Sequence, residues 1–319
     1  MKLVTIDEGP HGTPGAILKT GEILRFAKAA DSGTLEAWIP ETLRDLLEAG
    51  KAGLSVVQKL VGRVEAASDD YRSKLRDAGA LSAGVNTRLL TPIPEPRLIV
   101  GGSLNYHSHL KEMANTPPPP RPTGFIKIAS SIIGPDAPIR VPAQAPDMVD
   151  WEGEVACVIG RRCHNVAAAD AMDYIAGYTV VNDVSARDWV GDAFKATAPW
   201  DARLTWEVNI MGKQFEGFTA VGPVIVTVDE IEDPNDLTLQ TRLNGEVVQN
   251  GNTGDVVFDF AASIAFYSRW YTFQPGDMIT TGTPAGVGAG RKPPRFMGVG
   301  DTIEIEVSRI GVLRNTLVA

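Results

Sequence analysis

Residues Asp150-Trp151-Glu152-Gly153-Glu154-Val155-Ala156-Cys157-Val158-Ile159 impose two demands that few folds meet at once. The second half, Val155 to Ile159, is an unbroken apolar run of strand length that asks to be buried. Strand side chains alternate between faces, so Glu152 and Glu154 leave the backbone on the same side, about 7 Å apart along the chain. At an effective dielectric of about 20, two carboxylates at that spacing repel by roughly 2–3 kcal/mol before any cost of burial. A buried strand opening with this pair needs a cation or a proton beside it. For an isolated Glu-x-Glu the ordinary alternative is a solvated sheet edge.

A third carboxylate, Asp183, ends another apolar run, Tyr178-Thr179-Val180-Val181-Asn182-Asp183, and would otherwise cap whatever follows. Three oxygen donors of this kind suit a hard ion, Mg²⁺ or Mn²⁺, which keeps coordination positions open for substrate oxygens. Zinc would prefer nitrogen or sulfur, and Cys157 and Cys163, with only His164 nearby, supply neither a zinc set nor a disulfide framework.

Around these runs the chain changes texture. Up to about Leu89 it reads as short strands, Lys2–Ile6 and Ala16–Thr20, followed by helical spacing over Pro40–Ala49, Gly53–Val64 and Ser68–Ala78. Leu90-Thr91-Pro92-Ile93-Pro94-Glu95-Pro96 is a proline-punctuated extended segment, so we divide the chain into a small α+β unit over 1–91 and a larger unit over 92–319. The larger unit is a succession of β-type runs: Leu98–Val100, Gly124–Lys127, Gly153–Ile159, Ile175–Asn182, Ala220–Val228, Thr238–Leu243, Met278–Thr281 and Asp301–Val307. Asn244-Gly245 is the strongest hairpin signal, and a few helices are expected, chiefly Ala167–Tyr174 and Val257–Arg269. The expected class is mostly β with α, an α+β protein.

Two further stretches carry chemistry. If Tyr106–Met113 is helical, His109 and Glu112 lie at i, i+3 and the carboxylate can fix the imidazole tautomer, giving a base for water; an incidental surface pair is the plainer reading. His107-x-His109 as a metal pair is weaker. Thr281-Gly282-Thr283-Pro284-Ala285-Gly286-Val287-Gly288 is a glycine turn with amide and hydroxyl donors for an anion, but it lacks the Gly-Lys-Ser/Thr of a phosphate loop, and no Gly-x-Ser-x-Gly elbow exists. A net charge of −9 and no basic run argue against nucleic acid. With no run of 18 apolar residues and no signal-peptide stretch over Met1–Gly21, no membrane partner is expected and the location expected is the cytoplasm.

Taken in order, Asn105-Tyr106-x-x-His109, Asp150-x-Glu152-x-Glu154, Asn182-Asp183-x-Ser185-Ala186-Arg187-Asp188, Gly212-Lys213-x-Phe215, Gly222-Pro223, Asn244-Gly245, Pro275-Gly276-Asp277 and Thr281-Gly282-Thr283-Pro284-x-Gly286-Val287-Gly288 resemble the fumarylacetoacetate hydrolase family from about Pro92 onward. The resemblance implies a mixed β-sandwich roll, a homodimer, and a small oxo-acid substrate. It places Glu152, Glu154 and Asp183 as ligands of Mg²⁺ or Mn²⁺, with Ca²⁺ able to take their place in crystals. It makes His109 and Glu112 the catalytic dyad, with Lys213 near the reacting oxygen; Arg187 and Thr283 would sit beside the substrate carboxylate, with Lys127 and Tyr106 also at the substrate. The activity implied is hydrolysis of a C–C bond in an acylpyruvate or 1,3-dioxo acid through a metal-stabilised enolate, of the sort used in aromatic catabolism; a decarboxylase, isomerase or dehydratase on the same scaffold is the alternative, and a non-catalytic metal-binding module a third. Two positions depart from the family pattern: Val190 stands where many relatives have Gln, and Ile128 where they have Pro after the pocket lysine.

Overall fold

The computed structural model describes residues 1–30, 39–188 and 197–319. Strands β1 (Lys2–Ile6), β2 (Thr13–Ile17) and β3 (Glu22–Arg25) come first, then helices α1 (Leu43–Glu48), α2 (Gly50–Glu65) and α3 (Asp69–Asp77) and strand β4 (Leu81–Ala83). Next are β5 (Ile99–Ser103), α4 (His107–Glu112), β6 (Thr123–Lys127), β7 (Ile132–Ile133), β8 (Pro138–Arg140), β9 (Val149–Asp150), β10 (Gly153–Ile159), β11 (Ile175–Asp183) and β12 (Ser185–Ala186). The chain closes with α5 (Pro199–Met211), β13 (Thr219–Thr227), β14 (Thr238–Leu243), β15 (Glu246–Asn252), α6 (Phe260–Tyr267), β16 (Met278–Thr280), β17 (Thr302–Val307) and β18 (Gly311–Val318).

Local chemistry accounts for many of these boundaries. Thr42 caps α1 by accepting from the Asp45 amide, and Ser68 caps α3, whose first turn carries Asp69 and Asp70 and whose last turn carries Lys74 and Arg76, as the helix dipole favours. Helix α2 buries Val57, Leu60, Val61 and Val64, an i, i+3, i+4, i+7 stripe. Asn244 and Gly245 turn from β14 into β15 with φ of 52° and 83°, the positive pair that a two-residue hairpin requires.

Most strands join one sheet in the order β4-β3-β2-β1-β13-β11-β10-β16-β5-β6, with β7 also against β13, while β15-β14-β17-β18-β8 form a second sheet. Strand β10 lies inside the large sheet, antiparallel to β11 on one side and β16 on the other, and all seven of its residues are buried. Its side chains divide between two cores. Val155, Cys157 and Ile159 pack with Leu239, Ile305 and Leu313 of the second sheet and with Phe260 and Ile264 of α6. Ala156 and Val158 pack on the other face with Leu46, Val57, Leu60 and Val64. The result is the expected sheet-dominated α+β architecture: the N-terminal helices over one face, a second sheet together with α6 over the other. Residues 1–91 supply that helical layer, and β1 continues the large sheet by pairing Lys2 and Leu3 with Val226 and Ile225. Among the described residues no helix is long and apolar enough to cross a membrane.

Candidate active site and metal centre

The acidic cluster follows from the pairing of β10 and β11. Gly153 faces Asn182 and Glu154 faces Val181, and the Asp183 amide donates to the Glu152 carbonyl at 2.9 Å, so Glu152 and Asp183 are cross-strand neighbours. Glu154 projects from the same face one pleat further on. Ligand atoms of Glu152, Glu154 and Asp183 lie within 4.8 Å of one another, and all three residues are buried.

Three cations converge on this charge. Lys213 Nζ donates to Glu152 Oε2 at 2.6 Å, Asp183 Oδ2 at 2.7 Å and Ser185 Oγ at 2.8 Å. Lys127 Nζ donates to Asp183 Oδ1 at 2.6 Å and to the carbonyls of Phe218 and Lys213. Arg187 bridges two acids, giving Nε to Asp150 Oδ2 at 3.1 Å and Nη2 to Glu152 Oε1. Burial works to raise the Glu152 carboxyl, but Lys213 and Arg187 overcome it and hold Glu152 far below the ordinary carboxylate range. Burial likewise opposes the charge on Lys213, yet Asp183 and Glu152 keep its ammonium above its usual value. For Lys127 burial prevails and the value falls in spite of Asp183.

Glu154 is the exception. Neither of its buried carboxylate oxygens has a hydrogen-bond partner among the described residues. Burial, then Asp183 and Glu152, push its carboxyl well above the ordinary value. A buried anion without a partner is the state that a bound cation relieves, and three hard oxygen donors are the set a Mg²⁺ or Mn²⁺ ion prefers. The cluster can therefore hold a metal ion.

The second constellation stands on α4. His109 Nδ1 and Glu112 Oε2 are 3.1 Å apart, and Glu112 Oε1 accepts from the Gly286 amide at 2.9 Å, so the carboxylate is fixed at both oxygens. The α4 start is itself tied down: the Ser108 amide donates to Asp255 Oδ2 at 2.9 Å, and Asn105 bonds the backbone of Phe258 and Thr281. With Nδ1 engaged, Nε2 is the imidazole atom left to act.

Both constellations meet at a cavity of 250 Å³ whose lining includes the polar His109, Glu152, Arg187, Lys213 and Thr283 and the apolar Leu104, Met113, Phe125, Trp206 and Ile210. Asn209 also lines it, with a buried amide oxygen that has no partner among the described residues. The expected residues thus separate into three groups. His109, Glu152, Arg187, Lys213 and Thr283 line the cavity; Glu112 and Asp183 are bonded to His109 and Lys213 of that lining, and Glu154 clusters with Glu152. Lys127 and Tyr106 do not line it: Lys127 lies under Asp183, and Tyr106 is fully buried with its hydroxyl 3.4 Å from Thr281 Oγ1. Thr283 Oγ1 is already engaged, donating to the Gly153 carbonyl and accepting from Gln249. Ile128 is exposed beyond Lys127, and Val190 lies outside the described residues. The α5 wall was not legible in the sequence, because its helix has no apolar stripe to announce it.

A family model described as fumarylacetoacetate (FAA) hydrolase C-terminal matches residues 98–318. The mitochondrial oxaloacetate tautomerase of Xenopus laevis is 39% identical over 318 residues, covering 100% of this chain and 90% of its own. A mitochondrial oxaloacetate tautomerase of Homo sapiens is 40% identical over 280 residues, covering 88% of this chain and 81% of its own. Among solved structures, 2-hydroxyhepta-2,4-diene-1,7-dioate isomerase from Mycobacterium marinum matches with a TM-score of 0.61 at 38% identity, covering 75% of this chain and 81% of that one. Maleylpyruvate hydrolase from Sphingobium sp. SYK-6, in complex with manganese(II) ion and pyruvate, matches with a TM-score of 0.71 at 28% identity, covering 100% and 99%.

Similarity of this extent marks the chain as an enzyme, and it corrects two expectations. The expectation of C–C bond hydrolysis is overturned in favour of its isomerase alternative, since these relatives are tautomerases and a solved neighbour is an isomerase. The physical reason is that a site able to stabilise an enolate does not dictate which bond supplied its electrons, C–C or C–H. The cytoplasmic location gives way as well, because the relatives are mitochondrial. The absence of an apolar stretch bears only on secretory and membrane-spanning segments, whereas organelle-directing segments are amphipathic.

Proposed function

The chain belongs to the fumarylacetoacetate hydrolase family, and from that premise we propose that it is a divalent-metal-dependent tautomerase interconverting the keto and enol forms of a small oxo-dicarboxylic acid of the oxaloacetate type. The observation that carries the reading is the meeting, in the lining of one cavity, of an imidazole oriented by a carboxylate with Arg187, Lys213 and Glu152 of the metal-competent cluster. Proton transfer between carbon and oxygen needs those two parts and no nucleophile.

The chain's own residues divide the work. Arg187 and Lys213 line the end of the cavity where an acid substrate's oxygens would sit, and their pairing with Asp150, Glu152 and Asp183 fixes their positions in advance. His109 Nε2 takes the proton from the carbon beside the carbonyl; the C–H pair becomes the C=C bond and the carbonyl π pair moves to oxygen. The imidazolium then returns that proton to oxygen, so keto acid becomes enol with no atom gained or lost. Glu112 stabilises the imidazolium between the two transfers. Leu104, Met113, Phe125, Trp206 and Ile210 keep water from the carbanionic carbon, and the Asn209 amide oxygen is placed to accept from an enol hydroxyl. Glu152, Glu154 and Asp183 would hold a Mg²⁺ or Mn²⁺ ion, whose Lewis acidity polarises the carbonyl and lowers the cost of the enolate. A homodimer is part of the same proposal, to be read by sedimentation equilibrium.

The test follows the ultraviolet absorbance of enol-oxaloacetate with purified protein and either Mg²⁺ or Mn²⁺. Metal-dependent acceleration of ketonisation, with no CO₂ and no pyruvate, is the expected result. Relaxation at the buffer rate, or pyruvate and CO₂ as products, would remove the tautomerase reading.

A further inference from the structure

Asp150 opens the Asp-x-Glu-x-Glu run but neither lines the cavity nor joins the carboxylate cluster, and it is fully buried. Its bonds join Arg187, the partner of Glu152, to a backbone segment beyond the cluster. Oδ1 accepts from the Gly288 amide at 2.6 Å and the Trp151 amide at 2.9 Å; Oδ2 accepts from the Ala289 amide and from Arg187 Nε, each at 3.1 Å. The segment it grips begins at Gly286, whose amide holds Glu112 Oε1 at 2.9 Å and whose carbonyl accepts from Trp151 Nε1 at 3.1 Å. One continuous set of hydrogen bonds therefore runs from Glu152 through Arg187, Asp150 and the backbone of 286–289 to Glu112 and His109.

The glycines of this segment are required by contact. A Cβ on Gly288 would stand 1.9 Å from the Arg295 carbonyl and 2.6 Å from Asp150 Oδ1. A Cβ on Gly290 would stand 2.3 Å from Glu112 Cδ and 2.5 Å from its Oε1. Gly290 has no positive φ, and the three atoms nearest an alanine Cβ there all belong to the Glu112 side chain.

We infer that Asp150 is a positioning residue for the His109–Glu112 pair, acting through the backbone of Gly286–Gly290 to fix where the base stands relative to Arg187 and Lys213. The inference rests on the tautomerase reading for its kinetic consequence, not for its structural one. Asp150 anchors the segment, the segment anchors Glu112, and Glu112 anchors the imidazole. Asp150→Asn keeps the shape but replaces one acceptor oxygen with an N–H donor, which cannot satisfy Ala289 and Arg187. Gly290→Ala reaches the same endpoint from the other side, by displacing Glu112.

Both substitutions are made in the full chain, alone and together with Glu112→Ala. Two readouts are taken: kcat for oxaloacetate ketonisation, and the ¹⁵N shifts of the His109 ring, which report whether Nδ1 keeps its proton toward Glu112. Alone, each should lower kcat at least about tenfold, move the ring shifts toward those of Glu112→Ala, and leave Mn²⁺ affinity within about threefold. Added to Glu112→Ala, neither should move the ring further and Gly290→Ala should not lower kcat further, since residues acting through one partner are not additive, whereas Asp150→Asn keeps only the smaller loss that comes from freeing Arg187 Nε. Ring shifts at wild-type values, or an equal loss of rate in both backgrounds, would overturn the inference. If the wild-type protein does not turn over oxaloacetate, the tautomerase reading fails and the ring shifts still decide this one. Should Asp150→Asn not fold, Ala289→Pro, which deletes the amide donating to Asp150 Oδ2, replaces it with the same expected pattern.

Discussion

Glu154→Gln should stabilise the metal-free protein and abolish its response to metal, two effects of opposite sign from one substitution. The carboxylate is fully buried, forms no ion pair among the described residues, and has ligand atoms within 4.8 Å of those of Glu152 and Asp183. One such carboxylate pair repels by about 3–4 kcal/mol at an effective dielectric near 20. Glutamine keeps the shape, removes the charge, and breaks no salt bridge, because Lys213, Lys127 and Arg187 are spent on Glu152, Asp183 and Asp150. The sign with pH follows from the raised Glu154 carboxyl. A folded-state value above the unfolded one gives a contribution present at low pH and lost as pH rises through the raised value, whereas glutamine does not titrate. The advantage of the variant therefore starts near zero around pH 5 and grows by at most about 1.4 kcal/mol per pH unit. Partial neutralisation by the neighbouring ammonium groups limits the total to about 1–3 kcal/mol near pH 8. Saturating Mn²⁺ reverses the order, since metal at a thousand times its Kd stabilises the wild type by about 4.1 kcal/mol and the variant has lost a charged ligand. Scanning calorimetry from about pH 5 to pH 8, with EDTA and with Mn²⁺, measures both. A variant less stable than wild type in EDTA near pH 8, or one whose Tm rises as much with Mn²⁺, would refute the reasoning.

Other substitutions separate the remaining roles. His109→Ala leaves the carboxylate cluster untouched, so Mn²⁺ titration should match wild type while ketonisation slows by roughly 10²–10⁴-fold; loss of metal binding would remove His109 from its assigned place. Lys213→Met strips a shared ammonium from Glu152 and Asp183, both buried, and should cost about 3–5 kcal/mol in EDTA by urea denaturation, a loss that Mn²⁺ partly restores. Gly245→Ala tests the hairpin alone: φ is +83° and a Cβ meets nothing within 4 Å, so the variant should lose about 1–2 kcal/mol through backbone strain with kcat unchanged. The Cys157 thiol is pushed up to about 12 by burial, and a thiol reagent should label it only after unfolding.

What could be read from the sequence divides along physical lines. Elements whose signal is local were legible: β10 falls at Gly153–Ile159 and β14 at Thr238–Leu243, both as expected, and Asn244-Gly245 makes the turn its chemistry demands. Strand β2 was not, running over Thr13–Ile17 where Ala16–Thr20 was expected, because its place is set by the Leu3–Ala16 and Val4–Gly15 pairing with β1 and not by its own residues. Helix α5 escaped notice since it buries no apolar stripe, and its Trp206 and Ile210 acquire meaning only as a cavity wall. The acidic cluster shows the same division. That Glu152 and Glu154 share a face is a property of one strand and needs only the period of two. That Asp183 joins them depends on the register that sets Glu154 opposite Val181; a slip by one residue would turn Asp183 to the far face among Leu239 and Ile305. The register is held by apolar side chains on both faces of β10 and β11, so the two hydrophobic cores, and not the charges, place the three carboxylates together against their own repulsion.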